Sequence, residues 1–179
     1  MFQELYFTLF EMNLWAATAI FVGLILLWSV IGALFQKRMR IICILLAIVL
    51  FVLILYITLF SRKPGPIFHE IIPFSTLRLG PGYPKLYREA LMNIFMFVPL
   101  GMTLPFVFET NLRNRFLLAL LIGFCLSAGI EVAQHFMLVG ITQSDDVICN
   151  TLGTAFGACA YPLSQLWIRL RDRKKTKSE

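Results

Sequence analysis

Charge is what this chain most lacks. Only 15% of its 179 residues are charged, where a soluble domain carries about 25%. No P-loop, no H-E-x-x-H and no nucleophile motif occurs, so no motif-borne nucleotide or zinc-hydrolase chemistry is indicated. Residues 1–13 hold Glu4 and Glu11 but no Lys or Arg. That excludes the basic start of an ordinary secretory signal. There is no internal repeat, and no low-complexity stretch beyond a short basic tail. The four cysteines, Cys43, Cys125, Cys149 and Cys159, lack metal-site spacing. They suit helix packing better than a disulfide framework.

What is abundant is apolar sequence, 59% of the chain, and it comes in blocks. Five blocks are long enough to cross a hydrocarbon core, which takes about 20 helical residues: Leu14–Phe35, Ile41–Phe60, Ala90–Phe108, Phe116–Val139 and Val147–Ile168. In lipid the backbone must satisfy its own hydrogen bonds, so these blocks are expected as helices. The predicted fold is an all-α, polytopic transmembrane bundle of about five spans. Residues 1–60 form an N-terminal segment plus two spans, 61–89 a loop, 90–168 a three-helix core, and 169–179 a basic tail. Met1–Met12 either extends the first helix or lies in the interface. The loop carries Pro64, Gly65, Pro66, Pro73, Gly80, Pro81, Gly82 and Pro84, too much punctuation for one regular helix.

Lys and Arg set the expected orientation. With five spans, Lys37, Arg38, Arg40, Arg113, Arg115 and the tail residues 169–177 fall on one side, and Arg62, Lys63, Arg78, Lys85 and Arg88 on the other. The tally is eleven against five, which makes the first side cytoplasmic. The N-terminus and the 61–89 loop are then outside.

Spans one and two read as plain lipid-facing anchors. Spans three to five do not. Glu131 lies about eight residues, or about 12 Å, from the outer end of span four. Gln134 and His135 follow it, and Ser127 and Gly123 continue the same stripe. Polar and small residues on one stripe belong against protein. Asn93 and Asn150 lie just inside the outer ends of spans three and five, with Asp145 and Asp146 at the mouth of the latter. Asn93, Glu131, Gln134, Asp145, Asp146 and Asn150 are therefore expected at similar depth near the outer leaflet.

Plainer readings stand beside this one. Asp145 serves equally as a helix cap. The asparagines serve equally as interhelical hydrogen-bonders. Glu131 is either a reactive carboxyl or a hydrogen-bonded core residue. Glu131 and His135 at i, i+4 resemble half a metal site, but lack a third ligand. Gly153 and Gly157 form a small-xxx-small pair beneath Asn150 that invites a close helix. Pro99 and Pro105 are expected to kink span three.

Asn93-Ile-Phe-Met-Phe-Val-Pro99-Leu-Gly101 resembles the N-x-x-x-F-x-P-x-G signature of the VanZ-like family. Glu131-Val-Ala-Gln134 is similar to its E-x-x-Q, and Asp145-Asp146-Val-Ile-Cys-Asn150-Thr-Leu-Gly153 with Gly157 to its D-D-x-x-x-N-T-x-G-x-x-x-G block. Pro73-Phe74-Ser-Thr-Leu77 resembles its P-F-x-T-[LI] element. Many members carry a further acidic residue where this chain has Gln143, and several carry an Arg near Ile141 and Thr142. No three-carboxylate metal site is therefore expected, and no cofactor.

The resemblance implies a multi-pass protein of the bacterial cytoplasmic membrane, acting in the cell envelope. The family is named for a membrane protein linked to low-level teicoplanin resistance. Three functions remain open. The first is binding or handling of an anionic lipid or lipid-linked cell-wall precursor. Arg78 and Arg88 would meet its phosphate, while Asn93, Gln134, Asp145 and Asn150 orient the head group. The second is an intramembrane enzyme on such a lipid, with Glu131 as acid or base and Asp145 and Asp146 assisting, through a divalent cation or without one. The third is a structural or regulatory scaffold. Membrane lipids are the expected partners and nucleic acid is not. A transporter fits less well, because the polar residues sit at one face rather than at the midplane.

Overall fold

The computed structural model describes residues 14–61, 69–70, 84–138 and 142–176. Six helices carry them: α1 (Leu14–Leu34), α2 (Gln36–Leu55), α3 (Pro84–Val107), α4 (Leu112–Met137), α5 (Ser144–Ala158) and α6 (Ala160–Thr176). A π-helical turn, Tyr56–Phe60, prolongs α2. Two-residue strands, β1 (His69–Glu70) and β2 (Thr142–Gln143), pair in parallel. The Met1–Met12 segment, Arg62, Lys63, Arg78 and the Pro73–Leu77 element lie outside the described residues.

Ala16–Leu34, Gln36–Phe60, Arg88–Val107 and Leu112–Met137 are each long and apolar enough to cross a membrane. The fifth expected span is not one helix. α5 and α6 abut at Cys159, and neither alone reaches crossing length, at 15 and 17 residues. Pro162 explains the break, because it has no N–H to return to the carbonyl of Ala158. The stretch expected as a basic tail continues α6 as far as Thr176. Lys37, Arg38 and Arg40 likewise belong to the start of α2, and only Phe35 separates α1 from α2. α3 runs from Pro84 to Val107 with both Pro99 and Pro105 inside it.

Contacts order the helices. Phe21 stacks on Phe95 with ring centroids 4.3 Å apart, Trp28 Nε1 donates to the Met102 carbonyl at 3.1 Å, and Gly32 meets the Phe106 ring. That constant offset makes α1 and α3 parallel. Gly153 lies on Ile94 and Gly157 on Val98, so α5 also runs parallel to α3. Ser127 pairs with Asn150, and Glu131 with Gln143, so α4 runs against them. The consecutive helices α3, α4 and α5 thus alternate in direction, as successive crossings of a bilayer do.

α3 is the central helix. Its Phe97, Leu100 and Leu104 pack with Ile54, Ala119, Leu126, Ile130 and Ala158. Its Val98, Met102 and Phe106 pack with Met39, Cys43 and Ala160. Cys43 is therefore a packing residue, whereas Cys125 and Cys159 are exposed, against the expectation for all four. Leu27, Leu34, Ile41, Leu45, Leu121 and Phe136 face outward. Such a surface is a liability in water and the natural one in lipid.

At the end of the bundle near Arg40, cations satisfy the carbonyls left over where α3 stops. Arg40 Nε donates to Val107 at 3.2 Å, and Arg115 Nη1 to Pro105 at 2.9 Å. Arg115 also lies 4.7 Å from the Tyr161 ring centroid. Arg40 pairs with Glu109, but both side chains are largely exposed. Glu109→Ala is expected to change stability in detergent by less than about 1 kcal/mol, as thermal unfolding would report.

Candidate functional site

The opposite end of the bundle gathers polar groups from four helices. On α4, Ser127, Glu131 and Gln134 fall at i, i+4 and i+7 and are all buried. On α5, Asp145 and Asn150 are buried and Asp146 is half-buried. α3 supplies Asn93, and α2 supplies its C-terminal turn.

Each helix end dictates part of the arrangement. α5 starts at Ser144, so Asp145 and Asp146 are its second and third residues. Neither is the cap. Gln143 holds that place and makes no side-chain cap. The carboxylates still favour the positive end of the helix dipole. α4 ends on Leu138 in the left-handed region, φ 56° and ψ 38°, with its N–H returned to Gln134 and His135. That reverses the chain towards β2.

The links between helices are short. Asn93 Nδ2 donates to Asp146 Oδ1 at 2.6 Å, joining α3 to α5. The backbone N–H of Gln143 donates to Glu131 Oε2 at 3.0 Å, joining the β2 segment to α4. Asn150 Nδ2 donates to Ser127 Oγ at 2.8 Å, one turn deeper. Gln134 Nε2 donates to the Thr58 carbonyl at 3.0 Å. Thr58 sits in the π-helical turn, where a helix end leaves carbonyls without N–H partners. In a bilayer such a carbonyl needs a donor from another helix.

This last link corrects the view of α2 as a plain anchor. Thr58 is buried, and its carbonyl forms part of the polar end. The backbone N–H of Gln143 and the β1–β2 pairing, which brings residues 69–70 beside residues 142–143, were equally invisible to side-chain pattern. Thr154 was missed as well. It is fully buried between Gly101 and Gly123, and its hydroxyl returns to the Asn150 carbonyl at 3.0 Å.

Among the described residues, two buried side-chain atoms have no hydrogen-bond partner: Gln134 Oε1 and Asn150 Oδ1. The first cannot be exchanged for its nitrogen, because Thr58 presents only an acceptor. Ser127 Oγ both gives and takes hydrogen bonds, so it pairs with either orientation of the Asn150 amide. A buried polar atom left unpaired costs about 1–3 kcal/mol.

Arg88 is exposed on the first turns of α3. His135 is exposed with its ring edge against Phe136, centroids 5.4 Å apart. Among the described residues, no three His, Cys, Asp or Glu side chains are grouped so as to hold a metal ion.

The residues that carry these contacts fall within a match to known proteins. The VanZ/LLP1 family model matches residues 39–165. Over 79 residues the chain is 34% identical to Protein VanZ of Enterococcus faecium, covering 44% of this chain and 47% of that protein. The chain thus spans about half the length of this curated relative. No solved structure matches it. The family match reaches from α2 into α6 and takes in Asn93, Glu131, Gln134, Asp145, Asp146 and Asn150, and the chain is a membrane protein of the VanZ/LLP1 family.

Proposed function

We propose that this protein binds or handles an anionic lipid or lipid-linked cell-wall precursor at its Glu131 end, and thereby contributes to glycopeptide (teicoplanin) tolerance. It resides in the bacterial cytoplasmic membrane, with the Glu131 end outward and the basic residues of α6 inward. The orientation rests on the distribution of Lys and Arg.

One observation carries the reading. Glu131, Gln134, Asp145 and Asn150 are buried together at one end of a bundle whose sides are apolar. Burying polar groups in a membrane protein is costly and is tolerated where they meet protein or a ligand. At an end rather than the middle, the ligand within reach is a lipid head group. Asn93, Gln134, Asp145 and Asn150 orient that group, while Arg88 and Arg78 take its phosphate.

The test is direct binding of phosphatidylglycerol to the purified full chain, with Arg88→Ala and Arg78→Ala. Each basic residue near a membrane surface contributes about 1 kcal/mol towards an anionic head group, so each variant should bind about fivefold more weakly. Unchanged affinity in both variants would remove the basis for this role.

A second reading makes the protein an enzyme on the same lipid. It is favoured by the burial of Glu131 and by the Asn93–Asp146 contact beside it in the fold. Glu131 would transfer the proton and Asp146 would assist.

A further inference from the structure

The two orphan amide oxygens say something about which head group fits. Gln134 Oε1 and Asn150 Oδ1 are acceptors, and both residues are more than nine-tenths buried, with 2% and 3% of their surface exposed. Each side chain is anchored through its nitrogen, to the Thr58 carbonyl and to Ser127 Oγ. Gln134 Oε1 is therefore held in a fixed position, since only the nitrogen can face the Thr58 carbonyl. A phosphate offers oxygen, not hydrogen, to such an atom and would be repelled.

We infer that the buried part of this site takes a head group through its hydrogen-bond donors, hydroxyl or ammonium, accepted by Gln134 and Asn150. This rests on the lipid reading above and narrows it. The phosphate belongs at the rim with the basic residues. The portion beyond the phosphate, a polyol, sugar or amine, enters among the amide oxygens. A phosphodiester or a quaternary ammonium has no donor to give them. The surroundings agree, since the neighbouring acidic side chains on α4 and α5 are Glu131, Asp145 and Asp146. Carboxyl oxygens accept hydrogen bonds, so the described site is rich in acceptors.

Four lipids with the same acyl chains test this on the purified full chain by native mass spectrometry. Phosphatidylglycerol offers hydroxyls and phosphatidylethanolamine an ammonium. Phosphatidylmethanol keeps the phosphate charge with no donor, and phosphatidylcholine has no donor either. The glycerol or ethanolamine lipid should bind about tenfold more tightly than its donor-free counterpart, the cost of leaving one buried acceptor unpaired. Which of the two does so identifies hydroxyl or ammonium. Gln134→Met removes the acceptor at similar length, and should narrow the gap between phosphatidylglycerol and phosphatidylmethanol.

Equal affinity for phosphatidylglycerol and phosphatidylmethanol, with no preference for ethanolamine over choline, overturns the inference and leaves the anionic-lipid reading standing. The orphan oxygens would then be served by trapped water. Binding of none of the four lipids overturns both. The wild-type comparison needs no variant, so a poorly folding Gln134→Met does not remove the test.

Discussion

Gly157→Ala and Gly153→Ala, with Gly101→Ala on the facing helix, are expected to be the most damaging glycine-to-alanine changes among the described residues. Each glycine on α5 faces backbone of α3 rather than side chain. A Cβ at Gly153 would collide with the carbonyl of Ile94, and one at Gly157 with the carbonyl of Val98 and the backbone of Gly101 and Met102. Backbone cannot rotate away as a side chain can, so the helices must separate. α3 carries the core residues of both apolar clusters, and separation would loosen both. It would also pull Asn93 away from Asp146, whose hydrogen bond spans the same two helices. Overpacking costs about 1–3 kcal/mol, occasionally more. Here the upper part of that range applies, because the clash is with backbone on a central helix. Gly129→Ala and Gly23→Ala are the controls. Nothing lies within 4 Å of a Cβ at either position. Removing a helix-interior glycine should there be neutral or stabilising by up to about 1 kcal/mol. Thermal unfolding of the four variants in one detergent separates the pairs. Equal melting points for Gly157→Ala and Gly129→Ala would show that α3 and α5 are not packed as described.

The same contact shows what could be read in advance. The small-xxx-small spacing of Gly153 and Gly157 announces a close helix, because small residues permit backbone contact. It does not say which helix, since spacing on one element carries no information about its partner. The five apolar blocks were legible because a bilayer imposes a length. The split of the last block was not, although Pro162 lay in plain view, because hydrophobicity carries across a proline that hydrogen bonding does not. The stripe of Ser127, Glu131 and Gln134 was legible from helical period alone. Its partners were less so. Gln134 donates to the Thr58 carbonyl, and Glu131 accepts from the Gln143 N–H. Backbone groups are present at every residue and leave no mark in a sequence. The role of α2 went unseen for that reason. Thr154 went unseen for another: one threonine in an apolar helix reads as filler until Gly101 and Gly123 are seen on either side of it.

The polar end also has two kinds of residue in it, and they should respond differently to substitution. Ser127, Asn150 and Thr154 lie deeper in the bundle; Asn150 and Ser127 tie α5 to α4, and the Thr154 hydroxyl returns to the Asn150 carbonyl within α5. Changes there act first on packing. Asn93, Glu131 and Asp146 lie at the end, where Asn93 links α3 to Asp146 of α5 and Glu131 accepts from the backbone of β2. Changes there act first on whatever approaches from outside.

Glu131→Gln is the substitution that separates chemistry from architecture. Glutamine has the same length and keeps one carboxamide oxygen. That oxygen can still accept from the Gln143 N–H, now at 3.0 Å from Glu131 Oε2. What disappears is the ionisable proton and the negative charge. A hydrogen bond to a charged acceptor contributes about 1.5–3 kcal/mol and a neutral one about 1 kcal/mol, so stability should fall by about 1 kcal/mol or slightly more. Glu131→Leu removes the acceptor altogether and leaves the Gln143 N–H without this partner, so its melting point should fall further. If Glu131 moves a proton or holds a ligand by charge, Glu131→Gln abolishes the teicoplanin tolerance proposed for the wild-type chain, tested in a sensitive host at normal membrane expression and near-normal melting point. If the carboxyl only braces α4 against the β2 segment, tolerance and stability fall together along the series wild type, Glu131→Gln, Glu131→Leu. We expect the first pattern. A buried carboxyl on the polar face of a membrane helix is costly, and bracing alone would be achieved by the neutral amide that Gln134 already provides one turn away. Survival of tolerance in Glu131→Gln with unchanged expression would exclude acid–base work by this residue and leave lipid binding through the amides as the remaining role of the site.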